Sequence, residues 1–375
     1  MKKLFHLLLL CLLFSCAKNE NACVVNGRYA SAPDGTVLYV TPIDDILAPI
    51  DSVVVRGGKF GLELDAAVPS VRFISSQQVI DGGFVYVEPG VVNVDFAGDF
   101  VGGTPANERL NRFMVERDKI VNLRRMGAPG ALDAFGLDKA MCDSIRDIVV
   151  IAGDIFDSYA VKEIKENIDF HLGYFYLVQS VGIVASAKLL PLLDKVPEEY
   201  RDKLYDTMRN RIESDVHNAA MAEKYLDDIW KSLEATAVGK KFQDFELDDI
   251  NGGKVLLSDE VFANKYALVL FWAGWQDGVK EQLQVLAEAY GKYKTKGLQI
   301  VGVSLDGNVP ACRSVVDELD IEWVQLCNPA GGSAEVAAAY GITELPAAVL
   351  VNNRGTIISR MATVEDMLKK FEELF

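Results

Sequence analysis

The sequence predicts an α+β chain of several domains, and three changes of pattern along its 375 residues predict it. Short β-rich runs separated by turn residues fill 22–100 and read as an antiparallel β domain of sandwich or barrel type. Apolar residues at helical spacing fill 105–235 and read as a helical connector. Further on, strands and helices alternate, the pattern of an α/β domain with a parallel core. The expected boundaries are 1–15 for a signal peptide, 16–103 for the β domain, 104–236 for the connector and 237–375 for the α/β domain.

The first element is an address. Lys2 and Lys3 precede the apolar run Leu4 to Leu13, which is too short for a membrane-spanning helix and reads as a signal peptide. Leu13-Phe14-Ser15-Cys16 then resembles a lipobox, which implies an acylated Cys16 holding the chain on a lipid bilayer. A plain secretory signal with an incidental cysteine is the alternative. Ala17 stands where an aspartate would resemble an inner-membrane retention signal, so the outer membrane, facing the periplasm, is the expected location. Lys18, Asn19 and Glu20 weakly resemble a surface-export tag and keep the outer face open. The formal charge of −16 argues against a nucleic-acid partner.

In the β domain the runs are Val24–Gly27, Val37–Val40, Ile50–Val55, Phe60–Leu64, Val71–Ile74, Phe84–Val87 and Val91–Phe96. Pro33-Asp34-Gly35, Gly57-Gly58, Gly82-Gly83 and Pro89-Gly90 punctuate them, and Ser52 to Phe60 reads as a hairpin. Three segments carry a resemblance: Asp51 to Phe60, Val87-Glu88-Pro89-Gly90 and Gly103-Thr104-Pro105-Ala106-Asn107. They resemble the N-terminal domain of unknown function of TlpA-like envelope lipoproteins, which brings no catalytic residue with it. The connector is expected to hold helices over 107–126, 138–166, 185–196 and 198–233, with a first-turn proline at Pro197.

The α/β domain opens its sheet with the buried-type strand Ala267–Trp272, followed by a helix over 279–296. A strand over 298–305, a helix over 311–319, a short strand over 323–327 and a helix over 334–340 follow. A hairpin over 347–352 and 356–360 turns at Asn353-Arg354-Gly355, and a helix over 363–374 closes the chain. This order resembles the thioredoxin-like fold of the TlpA-like thiol–disulfide oxidoreductases, related to the alkyl hydroperoxide reductase and thiol-specific antioxidant group. Val238 to Phe245, Val269 to Trp275, Tyr340 to Pro346 and Leu350 to Gly355 carry the resemblance, although Phe242-Gln243 replaces the usual proline of the first motif. The resemblance also implies a cis bond at Pro346.

That family places W-C-x-x-C at the start of the first helix, where the helix N-terminus favours a thiolate. This chain has Trp275-Gln276-Asp277-Gly278-Val279, with Gln276 and Val279 at the two cysteine positions. Glutamine has no ionisable nucleophile and valine resolves no mixed disulfide, so no catalytic residue is expected at this degenerate site. Residues 267–285 contain no cysteine, which also excludes a peroxidatic cysteine there. What remains is a candidate peptide groove of Trp275, Asp277, Leu345 and Pro346, with Asp277 able to cap the helix.

Four cysteines lie beyond Cys16: Cys23, Cys142, Cys312 and Cys327. Cys312 begins a helix and Cys327 ends a strand at the sheet edge where ligands bind in α/β folds, so the two are expected near one another and near the degenerate site. Their readings are buried small residues, a structural disulfide or a relocated redox pair. His171 and His217 lie far from any cysteine and read as surface or helix-face residues, so neither a metal nor another cofactor is expected. The leading expectation is an envelope lipoprotein that binds a peptide, protein or other envelope ligand without redox chemistry. A thiol–disulfide oxidoreductase using Cys312 and Cys327 and a structural envelope component are the alternatives.

Overall fold

The computed structural model describes residues 20–76, 82–98, 100–134 and 136–375. The expected signal peptide and Cys16 lie outside the described residues. The chain divides into two compact units, one ending at Asn218 and the other running from Ala219 to Phe375.

Eight strands open the first unit: β1 (Ala22–Arg28), β2 (Val37–Pro42), β3 (Asp51–Val54), β4 (Lys59–Asp65), β5 (Ser70–Ser76), β6 (Gly82–Val87), β7 (Gly90–Asp95) and β8 (Phe100–Gly102). They form two four-stranded sheets, ordered β4-β1-β7-β8 and β3-β2-β5-β6. The expected hairpin over Ser52–Phe60 is corrected by this order. β3 pairs with β2 and β4 pairs with β1, and only an Arg56–Lys59 bridge joins the two arms. Gly57 and Gly58, both at positive φ, let the chain turn there and change sheets. Phe60 is buried over Gly27 of the neighbouring β1 and stacked on Phe96 at 5.5 Å. The domain is also not wholly antiparallel, since β1 runs parallel to β7.

The Gly103–Asn107 exit is a clamp. Asn107 is fully buried, and its carboxamide accepts the Tyr86 N–H at 2.9 Å and donates to the Tyr86 carbonyl at 2.8 Å. It satisfies the edge of β6 as a strand would. Thr104 caps the helix that follows, a feature worth about 1 kcal/mol. That helix is α1 (Pro105–Met126), and α2 (Pro129–Ala134), α3 (Lys139–Asn167), α4 (His171–Ser180), α5 (Ser186–Leu193) and α6 (Lys203–Ala235) follow. α2 and α4 were not among the expected helices. Leu172 to Leu177 in α4 are all buried, so the helix is apolar all round and shows no one-sided period. His171 is the half-buried first residue of α4. Its Nδ1 accepts the Val71 N–H at 3.1 Å, and burial, aided by Arg72, pushes its pKa down to about 4. Pro197 precedes a single 3-10 turn, Glu198–Tyr200, and α6 starts later than expected because Asp202 accepts the Tyr205 N–H at 2.8 Å.

The second unit holds β9 (Glu246–Asp248), β10 (Lys254–Leu256), α7 (Leu257–Ala263), β11 (Tyr266–Trp272), α8 (Val279–Tyr293), β12 (Leu298–Ser304), α9 (Val309–Glu318), β13 (Val324–Cys327), α10 (Gly332–Ala339), β14 (Ala347–Asn352), β15 (Ile357–Met361) and α11 (Val364–Leu374). β9 and β10 pair as a small ladder of their own. The central sheet is ordered β13-β12-β11-β14-β15. β13, β12 and β11 are parallel, whereas β14 and β15 are antiparallel additions. The uninterrupted apolar run of β11 is explained by burial on both faces. Leu268, Leu270 and Trp272 face one core, which includes α8, α9 and α11, and Ala267, Val269 and Phe271 face the other. The fold is therefore mixed, with an N-terminal β region, a helical middle and a C-terminal thioredoxin-like α/β domain. Among the described residues, no helix is long and apolar enough to cross a membrane.

Candidate functional site

Parallel β11 and β12 release the chain at the same sheet edge, and the segment after β11 crosses to α8. Trp272 is fully buried, and its indole N–H donates to Gln325 Oε1 at 3.1 Å. Three residues later Trp275 is 68% exposed, so the turn carries an indole from the core into solvent. The turn is tight. Gln276 N–H donates to the Ala273 carbonyl at 3.2 Å and Val279 N–H to the Gln276 carbonyl at 3.3 Å. Those two amides are thus committed inside the turn and are not free donors at the helix start.

Asp277 does not cap α8. Gly278 occupies the cap position at φ 74°, without a side-chain hydrogen bond, because the left-handed backbone there suits a residue with no Cβ. Asp277 is exposed. Val279, at the second expected cysteine position, is 2% exposed and packs into the α8 core. Gln276, at the first, reaches across the edge. Its Nε2 donates to the carbonyl of Leu345, whose bond to Pro346 is cis. Its Oε1 is buried with no partner. The structure therefore joins Gln276 to the Leu345–Pro346 segment, with Pro346 buried and Leu345 half-buried.

Behind this loop lies a polar knot. Both carboxylate oxygens of Asp306 accept the Gly274 N–H, at 2.9 and 3.0 Å. The Ser304 hydroxyl donates to Asp306 at 2.8 Å and accepts the Asp306 N–H at 3.1 Å. Ser304 stands opposite Cys327 in the β12–β13 ladder. Cys312 comes from the first turn of α9 and shares a buried apolar cluster with Cys327. Both are free thiols in that cluster, 0% and 1% exposed. Burial, with a smaller contribution from Asp306, pushes the Cys312 thiol up to about 12, and burial raises Cys327 as well. Cys23 and Cys142 are buried and free, in the first unit.

Sequence reasoning passed over Ser304 and Asp306. Their signal was available: two polar residues close an apolar strand at the edge of a parallel sheet, where such residues face a site. Gln325 was also missed, a buried amide lying over Gly302, where a Cβ would come within 2.1 Å of its Oε1.

Residues 238–360 match the AhpC/TSA family, and residues 23–110 match the domain of unknown function DUF4369. The C-terminal domain is thus similar to the AhpC/TSA family. The thiol-disulfide oxidoreductase ResA of Bacillus thuringiensis subsp. konkukian is 27% identical over 143 residues, covering 36% of this chain and 80% of that protein. ResA of Oceanobacillus iheyensis is 32% identical over 124 residues, covering 32% of this chain and 62% of that one. A thiol-disulfide oxidoreductase structure from Bacteroides fragilis NCTC 9343 is 33% identical, spans 36% of this chain and 100% of that chain, and gives a TM-score of 0.34. Within the AhpC/TSA domain, the loop over 273–279 offers an exposed indole and a fixed carboxamide, with no thiol in its own sequence.

Proposed function

We propose that the AhpC/TSA domain binds an extended peptide or protein segment at Trp275, Gln276, Asp277, Leu345 and Pro346, without thiol–disulfide exchange at that loop. The observation that carries this reading is the Gln276 carboxamide: one end holds the Leu345 carbonyl, while the other is a buried acceptor without a partner. A buried unpaired acceptor is costly, and a peptide N–H arriving beside Trp275 would satisfy it. The indole gives such a ligand apolar area at low entropic cost. In this reading the chain is an envelope lipoprotein held to the outer membrane by an acylated Cys16, with its mature part in the periplasm. The lipid anchor is tested by metabolic labelling with a clickable fatty acid, which Cys16→Ser should abolish.

Binding is tested with carboxymethylated insulin B chain, an extended probe without free thiols. Saturable binding weakened at least fivefold by Trp275→Ala is expected. Equal affinity in parent and variant would contradict the groove.

A second reading, exchange through Cys312 and Cys327, is supported by their place in one buried cluster. Burial of both sulfurs and their raised pKa values work against turnover, because exchange needs an accessible thiolate.

A further inference from the structure

We propose that the first unit binds a single-chain amphiphile with a zwitterionic head, in the groove between α1 and α3. This site lies in a different unit from the loop carrying Trp275 and Gln276, and it stands whether or not that loop binds a peptide.

The two helices run antiparallel. Phe113, in the first half of α1, packs against Phe156 and Tyr159, in the second half of α3, at 6.2 and 6.1 Å. At the other end Gly127, just past α1, lies so close to the first half of α3 that a Cβ would come within 2.6 Å of Val149 Cγ2. Between the helices the side chains leave a cavity of about 590 Å³, the size of a small-molecule site. Its walls reach from Arg112 to Leu123 on α1 and from Ala152 to Glu163 on α3, roughly 16 Å along each helix at 1.5 Å per residue. With the helices antiparallel, the polarity of the cavity follows from residue number. One end is walled by Ile120, Leu123, Ala152, Ile155 and Phe156. The other carries Arg112, Glu116 and Glu163, and Lys119 reaches back to Glu116 at 2.6 Å. The aromatic wall is held from behind, where Phe113 stacks on the buried Tyr176 at 4.1 Å.

This lining selects the ligand. Beyond the apolar end, Ile151 and Ile148 continue from Ile155 along successive turns of α3, and all three are more than half exposed. A chain lying along that row removes apolar surface from water, so the tail belongs at this end. The head belongs at the other, where Lys119 and Glu116 neutralise one another. Arg112 and Glu163 have no ion-pair partner among the described residues. A cation and a carboxylate without partners match a head that carries both a phosphate and an ammonium. The Arg112 guanidinium donates to the phosphate oxygens, and the Glu163 carboxylate accepts from the ammonium. A fatty-acid head would instead set a second anion against Glu163. The volume suits one acyl chain with its head rather than a two-chain lipid.

The test is calorimetric titration of the full chain with lauroyl lysophosphatidylethanolamine, kept below its micelle-forming concentration. Saturable binding is expected, weakened at least tenfold by Ile155→Glu and at least fivefold by Arg112→Ala. Both positions are exposed, so circular dichroism should show both variants folded. Ile155→Val keeps the apolar wall and should bind as the parent does. Lauric acid, with the same tail and an anionic head, should bind at least fivefold more weakly than the lysolipid. Absence of saturable binding by the folded chain would overturn the proposal, and so would equal affinity in the parent and Ile155→Glu. Lauric acid bound as tightly as the lysolipid would overturn the zwitterionic head.

Discussion

Two regions at one sheet edge divide what thiol–disulfide exchange requires. The loop after β11 has the access: Trp275 is 68% exposed and Gln276 meets the Leu345–Pro346 segment. It has no sulfur. The end of β13 and the first turn of α9 have the sulfur, in Cys327 and Cys312, yet both are buried, and burial raises both thiol pKa values. Nucleophilicity of a cysteine is a property of its surroundings as much as of its identity. A domain can keep the outline of an exchange site and two buried thiols without bringing access and sulfur to one place.

The contrast breaks most visibly if sulfur is put where access already exists. Gln276→Cys combined with Val279→Cys should raise reduction of a dye-labelled disulfide substrate at least a hundredfold over the parent chain. The helix start favours a thiolate there, and the second thiol can resolve the mixed disulfide. Unchanged turnover in the folded variant would mean that the loop has lost more than its cysteines.

The buried side is sharpened by pH. With the Cys312 thiol pushed up to about 12, its labelling by iodoacetamide should rise about tenfold per pH unit from about 7 to 10, without a plateau. Mass spectrometry of the Cys312 peptide checks this, and a plateau below pH 9 would contradict the buried setting. The same shift has a stability sign. Above the ordinary thiol value and below 12, the folded chain keeps a proton that the unfolded chain releases, so this contribution to stability falls as pH rises through that window.

Asp306→Asn tests the link between the two regions. It removes the charge that accepts the Gly274 N–H and the Ser304 hydroxyl, and should cost about 1–3 kcal/mol in a denaturant titration. It should also lower the Cys312 pKa, since Asp306 opposes a neighbouring thiolate. The smallest effect is expected at Gly278→Ala. A Cβ there meets nothing within 4 Å, so only the φ of +74° is penalised, by about 1 kcal/mol of thermal stability.

The strand–helix alternation of the second unit was legible because β11 is apolar on both faces and its neighbours repeat the pattern. β9 and β10 were not, since three residues carry too little alternation to register. α4 hid for the opposite reason: it is buried all round and has no polar side. The Ser52–Phe60 hairpin misled because two glycines make a turn without deciding which sheet each arm joins. At the candidate site, the missing thiols were plain at Gln276 and Val279, and the sheet-edge rule put Cys312 near Cys327. The Asp277 cap was misread because Gly278 makes the entry by backbone conformation alone. The Ser304–Asp306–Gly274 connection joins residues far apart in sequence and became visible only when their separations were known.

The central claim is that this domain binds at its exposed loop and does not exchange disulfides. It is tested most directly by the reduction rate of a dye-labelled disulfide substrate with the unmodified chain under excess dithiothreitol. The account predicts a rate equal to that of dithiothreitol alone. Catalysed turnover that disappears in Cys312→Ser or Cys327→Ser would contradict it and make the buried pair the reacting centre.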